Sequence, residues 1–146
     1  MTTIVYDHKT NQIACDSRAT CSGYITSDSA CKYRYNEHVL WFFAGDLCDI
    51  EFMMSDFQHR KSAPECMSLQ AIFVEEGIPY SAFISDGLYK KEKMWTSDTF
   101  GSGGWHAQAA LDFNKSVKEA VEYAMTRDTC TGGKVHVYDI EKGEFI

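Results

Sequence analysis

The N-terminal part of the chain alternates between strand-forming segments and polar turns. Residues 2–7 (TTIVYD) and 13–21 (IACDSRATC) are rich in β-branched, aromatic and small residues, and the polar segment HKTNQ separates them. They predict an antiparallel hairpin. After a mixed aromatic and polar segment, 24–35, a turn at Asn36 leads into the apolar run 39–44 (VLWFFA). This run has the length and composition of a buried strand, and it predicts a second hairpin.

An apolar pattern with helical spacing follows this run. Apolar residues recur at positions i, i+3, i+4 and i+7, which are Ile50, Met53, Met54 and Phe57. The pattern predicts an amphipathic helix over 48–61. We expect this helix to end near Lys61, because Pro64 disfavours helical geometry at the residue before it.

Three short segments rich in strand formers come next. They are 69–75, 80–85 and 88–95, and the turns at Gly77-Ile78-Pro79 and Asp86-Gly87 separate them. We predict three strands here, which extend the sheet region.

Helical patterns occupy most of the C-terminal third. The run GSGG at 101–104 opens a predicted helix that continues through Phe113. Ser116 and Glu119 form a capping-box pattern at the start of a further helix. Thr131-Gly132-Gly133 interrupts the helical pattern, and the sequence after it predicts a closing pair of strands.

The predicted order is therefore strands, helix, strands, helices, strands, without strict alternation of strand and helix. Such grouping favours packed antiparallel sheets that carry helices on their outer faces, because each element must bury its apolar side against another layer. We predict an α+β fold, a four-layer α/β/β/α sandwich of two antiparallel sheets. The sequence contains no internal repeat, low-complexity tract or linker, so we predict a single domain over 1–146.

Charge and cysteine content narrow the functional classes. The net charge is −7 with a pI near 5.1, and no block of basic residues occurs, so neither nucleic acid nor a membrane is expected as a partner. The six cysteines and five histidines show no zinc-site spacing, and we predict no metal and no cofactor. The N-terminus does not resemble a signal peptide, so we expect a cytoplasmic protein with free thiols.

Thr2 is a candidate nucleophile. An N-terminal threonine carries a hydroxyl and an α-amine on one residue, and the amine can accept the proton as the hydroxyl attacks a carbonyl. The ordinary pKa of an α-amine is about 7.7–8, close to neutral pH. With Met1 attached, however, the Thr2 nitrogen is an amide and cannot act as a base, so this chemistry requires removal of Met1.

Other residues could assist this chemistry, but each also has an ordinary structural interpretation. The ammonium of Lys32 would lower the pKa of the amine, and Asp16 would hold the lysine charged and oriented. Taken singly, Lys32 could be a solvated surface lysine and Asp16 a polar position on a strand. The first predicted hairpin and the segment after it contain three cysteines, Cys15, Cys21 and Cys31. These side chains either line a pocket or fill the core.

Taken together, several short segments resemble the proteasome β-subunits and their bacterial relatives, the peptidase subunits of two-component ATP-dependent proteases. The segments are TTIV at 2–5, ACDSRAT around Asp16, SDSACK ending at Lys32, FFAGD around Gly45, GSGG at 101–104, and RDTCTGG containing Asp128 and Thr131. The resemblance runs nearly end to end, and it implies the fold of the N-terminal-nucleophile (Ntn) hydrolases.

The resemblance implies catalytic roles near the N-terminus. Thr2 matches the family's catalytic threonine, and Asp16 and Lys32 match the charged pair beside it. Gly45 matches the residue whose backbone N–H serves the oxyanion hole. A glycine between a strand and a helix can present its N–H without obstruction, which agrees with that role.

Later residues also match the family. Ser102 matches the serine of its glycine-rich turn. Asp128 and Thr131 match the late acid and hydroxyl that hydrogen-bond around the threonine amine. Asp49 fits the acid that follows the oxyanion glycine.

These matches imply a threonine-type endopeptidase subunit of a proteasome-like ATP-dependent protease. Its substrate would be unfolded polypeptide, and it would work as a homo-oligomeric ring with a possible ATPase unfoldase. Family members usually have a second long helix after the one predicted over 48–61, so a shortened helical layer is expected here. Two alternatives stay open: a catalytically inactive structural or inhibitory binding partner, and a small-molecule amidohydrolase on the same fold.

Overall fold

The computed structural model describes residues 2–57, 62 and 69–146. Three helices lie in this part of the chain: α1 (Leu47–Asp56), α2 (Gly104–Asp112) and α3 (Val117–Met125). The strands there are β1 (Thr3–Asp7), β2 (Gln12–Cys15), β3 (Ala19–Cys21), β4 (Tyr24–Ser27), β5 (Tyr33–Asn36), β6 (Val39–Gly45), β7 (Leu69–Glu75), β8 (Ile78–Ser85), β9 (Leu88–Lys93), β10 (Asp98–Gly101), β11 (His136–Asp139) and β12 (Glu144–Phe145).

The strands form two five-stranded sheets and one separate hairpin. The first sheet has the order β10-β1-β2-β11-β12, and the second has the order β5-β6-β7-β8-β9. Strands β3 and β4 pair only with each other among the described residues. Every pairing between the described strands is antiparallel. The two predicted hairpins are confirmed as β1–β2 and β5–β6.

Alternation of side chains along the central strands creates the layers. In β1, Ile4 and Tyr6 face the second sheet, whereas Val5 faces α2 and α3. In β6, Phe42 belongs to the core between the sheets, whereas Trp41 packs on the side of α1. Because successive side chains point to opposite faces, a strand that is buried on both faces has an almost continuous apolar sequence. This explains the run VLWFFA.

The helices cover the outer faces of the sheets. Small residues of α2 and α3 pack with Val5 and Val137 of the first sheet, and they include Ala107, Ala110, Ala120 and Ala124. The predicted capping box is present, since Glu119 N–H donates to Ser116 Oγ at 3.2 Å and Ser116 N–H donates to Glu119 Oε2 at 2.9 Å. No helix in the described part of the chain is long and apolar enough to cross a membrane.

The predicted four-layer sandwich of antiparallel sheets is confirmed. Its second outer layer contains α1, whose Ile50 and Met53 pack on the second sheet. The prediction that this helix ends near Lys61 before Pro64 falls on residues outside the described ranges. The helix is described as far as Asp56, with Phe57 at its C-cap.

Some predicted boundaries were wrong. The segment predicted as one strand over 13–21 forms two strands, because the chain leaves the first sheet at Asp16. The Asp16 carboxylate accepts hydrogen bonds from backbone N–H groups of three segments. Strand β8 begins at Ile78 rather than after Pro79, since the turn is formed by Glu76 and Gly77, both with positive φ.

The sequence pattern does not predict the short strand β10, and it places Gly101 at the start of a helix instead. These four residues (DTFG) carry little strand signal of their own, and they are ordered by pairing with the edge of β1. Thr3 lies opposite Gly101 in that pairing. The glycine-rich run therefore reaches the beginning of β1.

The substitution Phe42→Ala tests the core between the sheets. Its side chain has no exposed surface, and we expect Phe42→Ala to lower the free energy of unfolding by about 3–5 kcal/mol, the usual loss for a buried phenylalanine. Tyr24→Ala is the control, because Tyr24 is 76% exposed, and its effect should stay within about 0.5 kcal/mol. Denaturant unfolding followed by fluorescence measures both, and equal effects would contradict the layer assignment.

Candidate active site

A cavity of about 360 Å³ opens beside the N-terminal end of β1. Thr2, Lys32 and Gly45 all line it, so three of the predicted site residues share one space. The rest of its wall comes from the hairpin β3–β4, the segment before β5, the end of β6 and the start of α1; these residues are Ala19, Thr20, Cys21, Thr26, Ala30, Cys31, Phe43, Asp46, Leu47 and Ile50.

Lys32 contacts the predicted nucleophile directly. Its Nζ donates a hydrogen bond to Thr2 Oγ1, and Thr2 is only 2% exposed. The Lys32 backbone is fixed as well, because its carbonyl accepts from Phe43 N–H at 3.0 Å. Burial lowers the pKa of the Lys32 ammonium, and the negative charge of Asp16 offsets part of that fall. A positive charge on Lys32 at this position would favour negative charge on the Thr2 hydroxyl oxygen.

Asp16 is fully buried and acts as an acceptor for backbone groups. Its Oδ1 accepts from Thr3 N–H at 3.1 Å, and its Oδ2 accepts from Gly132 N–H at 3.0 Å and from Arg18 N–H at 3.2 Å. Burial raises the pKa of Asp16, and the N–H donors of Gly132 and Thr3, together with the charge of Lys32, partly oppose this rise. The carboxylate therefore joins the start of β1 to the loop after α3.

A second cluster lies on the other side of β1. Asp128 Oδ2 accepts from Ser102 Oγ at 2.6 Å and from Thr131 Oγ1 at 2.6 Å. Thr131 Oγ1 is also 2.7 Å from Thr3 Oγ1. Because the single hydroxyl proton of Thr131 is directed to Asp128, Thr3 must be the donor in that pair. A hydrogen-bonded chain thus runs from Thr3 through Thr131 to Asp128.

The charge state of Asp128 follows from these contacts. Partial burial acts to raise the pKa of its carboxyl, but the hydrogen bonds from Ser102, Thr131 and the Cys130 N–H, together with the positive charge of the N-terminus, outweigh burial. The pKa of Asp128 consequently lies below its ordinary value. An ionised Asp128 is then the final acceptor of the chain.

Two glycines allow the glycine-rich run to approach Thr2 and Thr3, the first residue of β1. A Cβ at Gly101 would lie 1.7 Å from the Thr2 carbonyl oxygen, and a Cβ at Gly103 would lie 2.1 Å from Thr3 Oγ1. Gly45 has a different requirement, since its φ of 148° is unfavourable for other residues. It stands at the junction of β6 and α1, as the sequence predicts for an oxyanion donor.

The seven predicted site residues therefore fall into two linked groups around β1. The first group contains Thr2, Asp16, Lys32 and Gly45, and the second contains Ser102, Asp128 and Thr131. Asp49 lies in the first turn of α1, next to the cavity-lining Ile50. Among the three candidate pocket cysteines, Cys21 and Cys31 line the cavity, whereas Cys15 lies in the core between the sheets.

Some residues that build the site were not predicted. Thr3 connects the two groups through its N–H and its hydroxyl, and Gly132 N–H binds Asp16. The doublets Thr2-Thr3 and Gly132-Gly133 were the available signals, but their partners are distant in sequence. Within the described residues, no group of three or more His, Cys, Asp or Glu is arranged to hold a metal ion.

Gly101→Ala tests the close approach to Thr2. Its φ is +91°, so the substitution adds backbone strain as well as a collision with the Thr2 carbonyl. Gly87→Ala is a matched control, because its φ is +69° and nothing lies within 4 Å of the added Cβ. We expect Gly101→Ala to lose about 1–3 kcal/mol more of the free energy of unfolding than Gly87→Ala. Equal losses in denaturant unfolding would rule out the collision.

The pH dependence of stability in Asp128→Asn tests the second group of site residues. Since the pKa of Asp128 is lowered on folding, its ionised form stabilises the folded protein. That contribution is complete above the ordinary carboxyl pKa of 3.8 and is lost as the pH falls through the lowered value. The difference in unfolding free energy between the wild type and Asp128→Asn should therefore be larger at pH 6 than at pH 3. Asp112→Asn, at an exposed carboxylate of α2, is the control, and a pH-independent difference for Asp128 would contradict the assignment.

Comparison with known proteins supports the fold. No family model matches the sequence, and no curated protein matches it either. Among solved structures, the chain is similar to a eukaryotic HslV from Trypanosoma brucei, with a TM-score of 0.68 and 19% sequence identity. The match covers 94% of this chain and 98% of the HslV chain. The predicted resemblance is thus confirmed at the level of the fold, which this chain shares with HslV.

Proposed function

We propose that this protein is a threonine-type endopeptidase that uses Thr2 as its nucleophile after Met1 is removed. The observation that carries the proposal is the contact between Lys32 Nζ and Thr2 Oγ1 at the wall of a substrate-sized cavity. Removal of Met1 would convert the Thr2 nitrogen from an amide into an amine with a pKa near neutral pH. The Thr2 hydroxyl as nucleophile, the Thr2 amine as base and the Lys32 ammonium would then lie next to one another.

The first half of the reaction would form an ester. Thr2 Oγ1 attacks the carbonyl carbon of the scissile peptide bond while its proton passes to the α-amine of Thr2. The ammonium of Lys32 favours the developing negative charge on Oγ1 and lowers the pKa of the amine. Collapse of the tetrahedral intermediate breaks the C–N bond, and the departing amine takes the proton from the Thr2 ammonium. The acyl part of the substrate stays on Thr2.

The second half would release the acid. Water loses a proton to the Thr2 amine and attacks the ester carbon, and cleavage of the C–O bond returns the proton to Oγ1. In both halves the tetrahedral oxyanion requires a fixed donor, and we assign that role to Gly45 N–H. We assign Ser102, Asp128 and Thr131 to the hydrogen-bond network that holds Thr3, the residue after the nucleophile. Asp16 keeps Lys32 charged and fixes the backbone of Thr3.

The proposal also includes the kind of substrate and the oligomeric state. The likeness in fold to HslV supports a polypeptide substrate and a homo-oligomeric ring, and an ATPase unfoldase would supply unfolded chains. Among the described residues that line the cavity, all except Lys32 and Asp46 are uncharged, which suits an uncharged substrate side chain. The cytoplasmic location stays a prediction from the sequence.

Intact-mass measurement with an epoxyketone tests the proposal. This reagent joins both the hydroxyl and the free amine of an N-terminal threonine. We expect the purified protein to lack Met1 and to gain the mass of one inhibitor, and to hydrolyse fluorogenic peptides. Thr2→Ala should form no adduct, whereas Thr3→Ser keeps the hydroxyl at position 3 and should still form it.

The contrary outcomes are distinct. Protein that lacks Met1 but forms no adduct and cleaves no peptide would refute the peptidase and favour the inactive binding partner. An adduct on Thr2 together with hydrolysis of small amides but not of peptides would favour the amidohydrolase. Light scattering on the same sample reports the assembly, and a symmetric ring is the expected result.

A further inference from the structure

Arg18 joins two segments of the site that are distant in sequence. Its Nε donates to Asp28 Oδ1 at 2.7 Å, its Nη2 donates to Asp28 Oδ2 at 3.1 Å, and its Nη1 donates to the Thr129 carbonyl at 3.1 Å. The guanidinium therefore holds the segment that precedes Lys32 and the loop that contains Thr131. None of the site residues predicted from the sequence makes this connection.

The loop after α3 lies close to Arg18 and to the backbone of Asp28. A Cβ at Gly132 would lie 2.4 Å from Arg18 Cζ, and a Cβ at Gly133 would lie 2.4 Å from the Asp28 carbonyl oxygen. Gly132 is also the residue whose N–H binds Asp16. The two glycines thus let the loop after α3 pack directly on Arg18 and on the backbone of Asp28.

A short and well-anchored segment leads from this contact to Lys32. Ala30 N–H donates to the Ser17 carbonyl at 2.8 Å, and the Lys32 carbonyl accepts from Phe43 N–H at 3.0 Å. Residues 28–32 are therefore attached to 17–18 at one end and to β6 at the other. A displacement of Asp28 would move the attachment from which Lys32 reaches Thr2.

Arg18 differs from an ordinary surface ion pair. Lys118 and Glu122 on α3 are 3.9 Å apart with side chains 61% and 50% exposed, and such pairs contribute little. The Arg18 side chain is 20% exposed and that of Asp28 is 49% exposed, so the difference lies in the geometry. The planar guanidinium of Arg18 binds both carboxylate oxygens of Asp28 and a backbone carbonyl. Lysine cannot reproduce that three-contact geometry.

We propose that Arg18 is a positioning residue that sets the place of Lys32 relative to Thr2 by clamping Asp28 to the loop that contains Thr131. The catalytic consequence rests on the proposed peptidase function, whereas the positioning itself does not. Arg18 touches neither the nucleophile nor the substrate in this role. It acts through Asp28 and the segment 28–32.

The experiment compares wild type, Arg18→Ala, Arg18→Lys and the control Lys118→Ala, with two readouts. The first is the NMR titration of the Lys32 ammonium, assigned by its loss in Lys32→Ala. Because burial lowers the pKa of Lys32 in the intact site, Arg18→Ala should move it back toward the ordinary lysine value, and Arg18→Lys should give a smaller movement. The second is peptide hydrolysis, in which Arg18→Ala should lower kcat by about tenfold or more and leave KM within about threefold.

The outcomes separate the two proposals. A wild type that forms no adduct and cleaves no peptide refutes the peptidase, and the Lys32 titration then decides the positioning alone. A Lys32 titration unchanged in folded Arg18→Ala overturns the positioning, as does an unchanged kcat. If Arg18→Ala does not fold, Arg18→Lys and Asp28→Asn answer the same question, and Lys118→Ala should match the wild type throughout.

Discussion

The arrangement of the site depends on one buried carboxylate. Asp16 lies out of solvent, where an ionised group is costly unless donors surround it. Its donors come from the start of β1, from Arg18 and from the loop after α3. Satisfying this one side chain therefore fixes three segments at once. It also explains why the chain leaves the first sheet at this point instead of continuing as a single strand.

The sandwich supplies the rigidity on which that carboxylate relies. β1 is an inner strand of its sheet, paired with β10 on one side and β2 on the other, and its side chains are buried on both faces. An element held in this way cannot shift without disturbing both cores, because protein interiors are closely packed. Thr2 directly precedes β1, so the strand fixes the position of the proposed nucleophile.

The layers could be predicted from the sequence because they depend on local pattern. The run VLWFFA, the helical spacing from Ile50 to Phe57 and the capping pair at Ser116 are all visible within a few residues. The start of β10 and the break at Asp16 were not predictable in this way, since each is decided by a partner far along the chain. The same holds for Thr3 and Arg18, whose contacts with Thr131 and Asp28 exist only after folding.

The free thiols at the cavity wall have a practical consequence. Cys21 and Cys31 are exposed and line the same space as Thr2, while Cys15 is sealed in the core. Under the proposed function, a small environment-sensitive dye on Cys31 would respond to the arrival of a peptide without occupying the threonine hydroxyl. Occupancy of the cavity could then be followed separately from bond cleavage, even in variants that bind a peptide but do not cut it.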